Sequence, residues 1–280
     1  MSVLKWDETG TRLFETGVDH GVLFVLKDVV EENDNSRYEP GVVWNGLTAV
    51  TNSPEGAEPT DLWADNIKYA TLRSAETFGA TIEAYQHPEE FEICDGSASP
   101  IPGVHIRQQS RKSFAFCYRT KVGSDTDTDA SKYKIHIIYN ATCSPSESSF
   151  ETINDSPDAV TFSWEITTSP VNVSGFKPTS EVTIDVWKLS DFNKARLEGA
   201  LYGTDDSESY LPDPDGLLAL YVDFDYSIDE NGHLILVTED EDTDVSMEID
   251  EYGHLIYTHD EYSDVDFSLD ENGHLIMEVA

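Results

Sequence analysis

The sequence predicts a mainly β, α+β protein: an antiparallel β-sandwich design with one or two flanking helices, followed by a small all-β domain. Three observations support this prediction. Several segments alternate apolar and polar residues with a period of two, which is typical of strands with one buried face. The clearest helical spacing comes late, over residues 190–203. The last sixty residues contain a threefold repeat.

Alternating apolar residues place most of the predicted strands. Residues 22–27 are a buried-strand candidate, and residues 112–121 and 132–140 are predicted to form a hairpin across the polar turn 125–130. Cys117 lies among alternating apolar residues and is predicted to be a core thiol. The residues predicted to share one strand face are Tyr133, Ile135, Ile137 and Tyr139 in one strand, Val160, Phe162, Trp164 and Ile166 in the next, and Val182, Ile184 and Val186 in the last.

The segment from Trp44 to Tyr85 combines strand patterns with a long polar stretch. Residues 66–73 and 77–85 are predicted to be two strands joined into a hairpin by Ser74-Ala75-Glu76. The stretch Thr51–Asp61 contains two prolines and a glycine, so it is predicted to be an irregular loop rather than a strand or a helix. An ordered loop of this length on a β scaffold usually contacts something.

Two helices and a linker are also predicted. Pro88, followed by two glutamates, indicates the start of a short helix. Ser190-Asp191 has the pattern of an N-cap with an acidic first turn, and Gly203 follows the end of the helical spacing. The acidic stretch after Gly203 contains two prolines and reads as a linker. The predicted domains are therefore 1–203 and 221–280, joined by an acidic linker over 204–220.

The C-terminal repeat consists of three units, each predicted to be a strand, a tight turn and a strand. Each turn is followed by His-Leu-Ile, and apolar residues precede each turn at even spacing, which places them on one strand face. A glycine in each turn supplies the positive φ that tight hairpin turns need. The turn residues are Asn231 and Gly232, Tyr252 and Gly253, and Asn272 and Gly273.

The charge is extreme, with 17 Lys and Arg against 55 Asp and Glu, a formal net charge of −38. Residues 221–280 hold 19 acidic residues and no Lys or Arg. Phosphate binding needs cationic groups that displace counterions, so this composition argues against a nucleic-acid-binding surface. High solubility is one explanation of the charge. No cofactor is expected.

Cysteine usage and the N-terminus favour assembly in a reducing cytoplasm. The three cysteines include no Cys-x-x-Cys pair, and their odd number argues against a disulfide framework. Residues Met1–Asp7 contain no long apolar segment of the kind found in signal peptides. No apolar run approaches the length of a transmembrane helix, and no membrane association is expected.

Motifs for catalysis or metal binding are weak, so neither a catalytic nor a metal site is predicted, and the chain is expected not to be an enzyme. His105 and His136 lie in strand-like runs without a spaced Ser or Cys partner. Residues 125–129 resemble the start of a calcium loop, but Ala130 and His136 occupy the positions where glycine and glutamate belong. The three histidines that follow the repeat turns are explained by repetition alone: His233, His254 and His274.

Four blocks of the chain, taken in order, resemble the major tail tube protein of long-tailed bacteriophages. The blocks are GVVWNGLTAVTNSPEGAEPT, KYATLRSAETFGATIEAYQHPEEFEICDGSA, GVHIRQQSRKSFAFCYRTKVGSDT and INDSPDAVTFSWEITTSPVNVSGFKPTSEVTID. The resemblance runs from about Gly21 to Asp185, and the C-terminal sixty residues lie outside it. It implies a sandwich of two packed antiparallel sheets with a flanking helix and a projecting loop that contacts the next ring.

The function that the resemblance implies is that of a virion structural protein. Six copies would form a ring, and stacked rings would form a tube with an acidic lumen that conducts DNA, without specific binding, at ejection. Its partners would be copies of itself and the tape measure, tail terminator and distal tail proteins. It would reside in the virion tail after assembly in the host cytoplasm.

The candidate inter-ring contact is the loop Ser53, Pro54, Glu55, Gly56, Ala57, Glu58 and Pro59. A surface or secreted β module that binds a glycan or a protein through the C-terminal hairpins is the alternative reading. The absence of a signal-peptide pattern argues against that alternative.

Overall fold

The computed structural model describes residues 5–221 apart from 7, 31–35, 57, 75, 128–129, 147–148, 151, 153–158 and 206, and beyond them the backbone of six strands. The chain divides into two compact units, Met1–Tyr221 and Val222–Ala280. Within the described residues, none of the helices is both long and apolar enough to cross a membrane.

The first unit is built mainly from antiparallel strands, which confirms the predicted fold class. All strand pairs in this unit are antiparallel. The strands are β1 (Leu13–Val25), β2 (Val42–Trp44), β3 (Leu47–Asn52), β4 (Glu55–Gly56), β5 (Pro59–Ala64), β6 (Ile67–Arg73), β7 (Glu76–Thr77), β8 (Gly79–Ala84), β9 (Ala98–Ile101), β10 (Val104–Ile106), β11 (Phe114–Ser124), β12 (Lys132–Cys143), β13 (Phe162–Thr168) and β14 (Glu181–Asp185).

Hydrogen bonds join the main strands into one branched sheet, whose β13-β8-β3 part packs back against the first strands: Trp44 of β2 and Trp164 of β13 have ring centroids 5.4 Å apart. The strand order of this sheet is β2-β1-β11-β12-β13-β8-β3, and β14 also pairs with β12. The first part of β12, residues 134–138, pairs with β14, whereas residues 141–143 pair with β13. Asn140 lies between these parts with a φ of 49°, a left-handed conformation that asparagine tolerates better than most residues. The interrupted strand can therefore support two different neighbours.

Two hydrophobic cores occupy the two faces of the central strands. Alternation in β1 sends Leu23 into the first core and Phe24 into the second. Aromatic rings dominate the first core, where the centroids of Trp44 and Phe91 are 4.4 Å apart. The second core contains Tyr139 together with the residues predicted to share its face of β12, and this predicted strand face is confirmed. The prediction for Val160 is wrong, because it lies before β13 and is 36% exposed.

Helices cover the second core. Helix α1 (Asp191–Tyr202) begins after Ser190, whose Oγ accepts a hydrogen bond from the backbone N–H of Asn193, 3.3 Å away. Gly203, with a φ of 80°, ends the helix as predicted. A second helix, α2 (Pro214–Ala219), follows. The leucines that these helices and the segment between them bury in the core are Leu197, Leu201, Leu211 and Leu217.

The structure does not show a free linker over residues 204–220. Ser209 Oγ accepts a hydrogen bond from the Gly41 N–H at 2.9 Å, and the Tyr139 hydroxyl donates to the Pro212 carbonyl at 3.2 Å. Buried Leu211 and Leu217 supply apolar surface that a linker would expose. The stretch therefore packs onto the β body, and the first unit extends to Tyr221.

The predicted helix at Pro88 is a single 3₁₀ turn over Glu89–Phe91, with Pro88 as its N-cap rather than its first residue. Phe91 is buried in the first core. A second 3₁₀ turn, Val186–Lys188, follows β14. Burial of one aromatic side chain, rather than helix length, explains why the first turn forms here.

The second unit contains three strand pairs, one in each predicted repeat. Each pair forms its own two-stranded antiparallel sheet, and an aliphatic residue pairs with leucine beside each turn. The predicted turn residues lie outside the described residues. The strands are β15 (Phe224–Ile228), β16 (Leu234–Thr238), β17 (Ser246–Ile249), β18 (Leu255–Thr258), β19 (Val265–Leu269) and β20 (Leu275–Val279).

Candidate assembly site: an exposed β arm

A long antiparallel arm continues from the edge of the main sheet. It consists of residues 53–78, and strands β3 and β8 pair within the main sheet at its root. Beyond this root, β4 pairs with β7 and β5 pairs with β6. We call residues 59–73, which comprise β5, β6 and the turn between them, the arm tip.

Two predictions about this segment are wrong. The stretch Thr51–Asp61 is not an irregular loop, because it contains the end of β3, all of β4 and the start of β5. Its prolines are compatible with strands because Pro54 lies between β3 and β4 and Pro59 is the first residue of β5. Residues 66–73 and 77–85 do not pair with each other either, since they follow one another along the returning side of the arm.

The turn of the arm is Asp65-Asn66. Both residues have positive φ, at 51° and 64°. Two consecutive left-handed residues are the conformation that two-residue hairpins favour, because it matches the twist of the flanking strands. Asp and Asn adopt it more readily than most residues that are not glycine. The local sequence Asp65-Asn66 therefore favours this two-residue turn.

Hydrogen bonds and close backbone packing fix the root of the arm. The Ser53 N–H donates to the Gly79 carbonyl at 2.7 Å, and the Thr168 hydroxyl donates to the Phe78 carbonyl at 2.6 Å. A Cβ atom added to Gly79 would lie 3.2 Å from the Ser53 carbonyl oxygen and 3.3 Å from that of Ile166. Glycine thus allows three strands to approach closely where the arm leaves the sheet.

Side chains on one face of the arm tip are apolar or small. Opposed residues in an antiparallel pair share a face, as do alternate residues along each strand. Exposed fractions are 41% for Leu62, 62% for Ile67 and 56% for Leu72. We call this surface the apolar arm face, and it comprises Thr60, Leu62, Ala64, Ile67, Ala70 and Leu72.

The opposite face of the arm tip carries a polar network. Asp61 Oδ1 accepts a hydrogen bond from the Thr71 hydroxyl at 2.9 Å and lies 2.7 Å from Lys68 Nζ. A register shift between Leu62 and Trp63 leaves Tyr69 as the extra residue in β6, and both Trp63 and Tyr69 are exposed. The opposite face therefore pairs its polar side chains within the chain but still exposes Trp63, whereas the apolar arm face has no such polar network.

The residues predicted as a contact loop lie on the outgoing side of the arm, near its root. All of those described are exposed, and Ala57 lies outside the described residues. The sequence reasoning missed the apolar arm face, which lies further along the arm. Leucine and isoleucine at 62, 67 and 72 could have indicated it, but residues 66–73 are predicted only as a strand that pairs with 77–85, and no exposed face is assigned to them.

Two carboxylates elsewhere in the first unit, Asp19 and Glu15, have charged partners. Arg119 holds Asp19 in a two-point contact, with Nε 2.6 Å from Oδ1 and Nη2 3.0 Å from Oδ2. These hydrogen bonds hold the pKa of Asp19 below its ordinary value despite partial burial. Burial raises the pKa of Glu15, but hydrogen bonds from Lys134 and Thr120 outweigh it, so the pKa is lowered.

The two histidines considered as catalytic candidates also have structural partners. His136 Nε2 lies 2.9 Å from the Thr120 hydroxyl, and Nδ1 lies 3.1 Å from the Thr183 hydroxyl, so both ring nitrogens are engaged. His105 Nδ1 lies 2.8 Å from Glu92 Oε2. Among the described residues, no group of three or more His, Cys, Asp or Glu side chains could hold a metal ion. His233, His254 and His274 fall outside the described residues.

The three cysteines are buried and unpaired. Burial raises the pKa of the Cys94 thiol and of the Cys117 thiol to about 12, and it also raises the pKa of Cys143. The thiolate is the nucleophilic form of cysteine, so these thiols are poor nucleophiles at neutral pH. The prediction that Cys117 is a core thiol is confirmed.

A comparison with solved structures gives weak structural likeness. No protein-family model and no curated protein matches the sequence. A solved structure with some likeness is the cryo-EM structure of an extracellular contractile injection system, the PVC sheath–tube complex in its extended state. The two chains are 12% identical, with a TM-score of 0.25, and the match covers 65% of this chain and 94% of the other. A TM-score this low does not establish a shared fold.

Proposed function

We propose that this chain is a structural subunit, without enzymatic activity, that assembles with copies of itself into a phage tail tube. The observation that carries the proposal is the arm, which exposes an apolar face although the chain has a well-buried core elsewhere. The resemblance of residues 21–185 to major tail tube proteins supports the same function. Stacked rings of six copies would enclose a lumen through which DNA passes.

The physical case for a partner rests on the apolar arm face. Monomeric soluble proteins rarely leave contiguous apolar side chains exposed without using them for binding. A two-stranded hairpin is marginal in water, and contact with another surface would stabilise the arm tip. Fully burying a leucine or isoleucine side chain contributes about 1.5–3 kcal/mol, so three such residues are enough to matter for association.

Charge supports the proposed role of the lumen. The formal net charge of −38 gives every copy a negative field at neutral pH. A negative wall disfavours adhesion of a polyanion, because no counterions are released when DNA approaches it. In this proposal the tape measure, tail terminator and distal tail proteins bind the tube, and the assembled protein resides in the virion tail.

The test is assembly of the purified full-length chain, followed by negative-stain microscopy and analytical ultracentrifugation. The key variant replaces residues 59–73 with Asn-Gly, which removes the arm tip but keeps the β4–β7 pair. This change is sharper than deleting residues 53–59, because that deletion would leave the returning side of the arm without a partner. We expect rings or tubes from the natural chain and none from the tip deletion.

A matched control is Phe176→Lys, which changes an apolar side chain that is 74% exposed outside the arm. The control should assemble like the natural chain, and all three proteins should have the same far-UV circular dichroism signature of β structure. Monomers from the natural chain at every salt concentration would contradict the proposed function and favour the binding-module alternative. Normal tubes from the tip deletion would show that the arm is not the contact.

A further inference from the structure

A second exposed apolar hairpin lies in the first unit, outside the arm. It is formed by β9 and β10, and we call residues 98–106 the short hairpin. Ile101 pairs with Val104 across the two strands, and Ala98 pairs with Ile106. All four are exposed, and the exposed fraction of Ile101 is 62%. Like the arm tip, the short hairpin is a two-stranded sheet, and no other strand among the described residues pairs with it.

Polar contacts form within the short hairpin and beside it, and one of them, between His105 and Glu92, links it to the preceding 3₁₀ turn. The Ser99 hydroxyl lies 3.3 Å from the Val104 carbonyl oxygen, to which it donates, and His105 Nδ1 lies 2.8 Å from Glu92 Oε2. Next to the hairpin, the Gln109 N–H donates to the Gly96 carbonyl at 2.9 Å. These contacts place the hairpin without covering its isoleucine and valine side chains.

The arm as a whole carries a charge opposite to that of the stretch around the short hairpin, although the arm tip alone has two acidic and two basic residues. Residues 97–112 contain no acidic residue and three basic ones, in a chain with 55 acids and 17 bases. The arm contains five acidic and two basic residues. Some of the positive charge near the short hairpin is met within the chain, since Lys112 Nζ lies 2.9 Å from Asp28 Oδ1 and Asp95 interacts with Arg107 and Arg111. Arg107 is nevertheless exposed beside the hairpin.

We propose that the short hairpin is the acceptor for the arm tip of a second copy of this chain. This inference rests on the proposed function and deepens it by naming the surface that receives the arm. Leu62, Ile67 and Leu72 of one copy contact the isoleucines and valine of the short hairpin on the other. The acidic residues of the arm lie toward the acid-free stretch around Arg107.

The contact joins two different surfaces, so it is heterologous. A contact between identical patches closes a dimer, whereas a heterologous contact leaves each copy with one arm to donate and one acceptor to offer. Such contacts propagate from copy to copy until they close into a ring or extend into a filament. This pattern of contacts is the one that a tube requires, and a two-fold symmetric arm–arm contact would not supply it.

Complementation of two full-length variants tests the proposal. The arm variant is Leu62→Lys with Leu72→Lys, and the acceptor variant is Ile101→Lys with Ile106→Lys. All four positions are exposed, so both variants should fold, and an unchanged circular dichroism spectrum and melting temperature check this. The control is Phe176→Lys, which replaces an exposed apolar side chain elsewhere with lysine and adds half of the charge that each double variant adds. Sedimentation velocity measures the species formed by each variant alone and by an equimolar mixture.

We expect neither variant to assemble alone where the natural chain and the control do. In the mixture, the intact arm of the acceptor variant should bind the intact acceptor of the arm variant. The product should stop at twice the mass of one chain, because the other arm and acceptor in that pair are disabled. An acceptor variant that assembles normally would overturn the proposal and leave the proposed function intact.

Two other outcomes are also decisive. A mixture that stays monomeric, although each variant alone fails to assemble, would show that the two surfaces do not bind each other and would overturn the proposal. A natural chain that never assembles would overturn the proposed function and this contact together. A mixed species of twice the chain mass supports the proposal, because only a heterologous contact produces it.

Discussion

The pairs β5–β6 and β11–β12 are both antiparallel and rich in alternating apolar residues, but only one of them is buried. In β11–β12, Phe116 lies in the first core and Ile137 in the second, so the chain covers both faces. In β5–β6, Ile67 and Leu72 remain exposed. Alternation thus indicates a strand in both places. Whether other parts of the chain pack against that strand decides whether its apolar side chains stabilise the fold or remain available for a partner.

The sharpest test of this comparison uses the same substitution in both pairs. Ile137→Ala should lower the free energy of unfolding by about 2–5 kcal/mol, because it leaves a cavity in a closed core. Ile67→Ala should change it by less than about 0.5 kcal/mol, since no packed neighbours are lost. Urea unfolding of both variants under conditions where the chain is monomeric measures the difference. Equal losses would show that the arm tip belongs to the folded core.

A smaller effect is expected from Asp19→Asn, which weakens the two-point contact with Arg119. We expect a loss of about 1–3 kcal/mol at neutral pH, because a charge-assisted contact is replaced by a neutral one. The folded-state pKa of Asp19 is lowered, so its contribution is present above the unfolded value of about 3.9 and is lost as the pH falls through the folded value. The stability difference between the two proteins should therefore vanish in acid.

The control for Asp19→Asn is Glu8→Gln, which removes an exposed ion pair with Lys5 at 3.4 Å. Exposed pairs contribute about 0–1 kcal/mol and are screened by salt. Urea unfolding at a series of pH values should separate the two variants. Lys121 and His20 also face Asp19, and their attraction to it disappears with its charge, so a difference that persists below the folded pKa would mean that packing or neutral hydrogen bonds govern the effect.

A third change acts at the edge of the second core. Ser190→Ala removes the N-cap acceptor for the Asn193 N–H and should cost about 1 kcal/mol. Ser190→Asp keeps an acceptor and adds a negative charge at the helix N-terminus, so it should retain most of the stability. Thermal unfolding of the two variants measures the difference. No loss in Ser190→Ala would indicate that packing of Leu197 and Leu201 holds helix α1 without its cap.

The smallest effect on stability is expected from Asp65→Cys in the turn of the arm. The three native thiols are buried with raised pKa values, so a thiol-specific reagent should leave them unmodified in the folded protein. The new thiol should react quickly, and counting modified thiols by mass spectrometry should give one per chain. Rapid labelling of the natural chain would contradict the burial of its cysteines and the closure of both cores.

The sequence correctly predicts those features that depend on interactions between residues close together in the chain. The shared face of Tyr133, Ile135 and Ile137 and the cap at Ser190 each depend on neighbours within a few residues. The pairing partner of residues 66–73 cannot be predicted in this way, because a strand-like pattern does not indicate which other strand it pairs with. The turn that would have shown the pairing is Asp65-Asn66, which lacks the glycine that usually marks a two-residue hairpin.

Contacts between residues far apart in the chain account for other features of the structure that the sequence patterns did not predict. The pair Asp19–Arg119 joins residues 100 positions apart, and no spacing in the sequence indicates it. Residues 209–217 looked like a linker because acids and prolines surround the two leucines that the body buries. The apolar arm face was missed for the opposite reason, since its residues have the composition of a core strand but are exposed in the part of the chain that the structure describes.

The length of the arm has a consequence for the shape of an assembly. From Ser53 to Asp65 the outgoing side has thirteen residues, which span at most about 40 Å at the rise of a β-strand. A compact body of about 200 residues has a diameter of roughly 45 Å. An arm of this reach can bridge most of a neighbour, so bodies need not meet over flat surfaces. In the proposed tube, neighbouring bodies could tilt relative to one another while each arm tip stays bound to the next copy. The tube would then bend without losing contacts between its subunits.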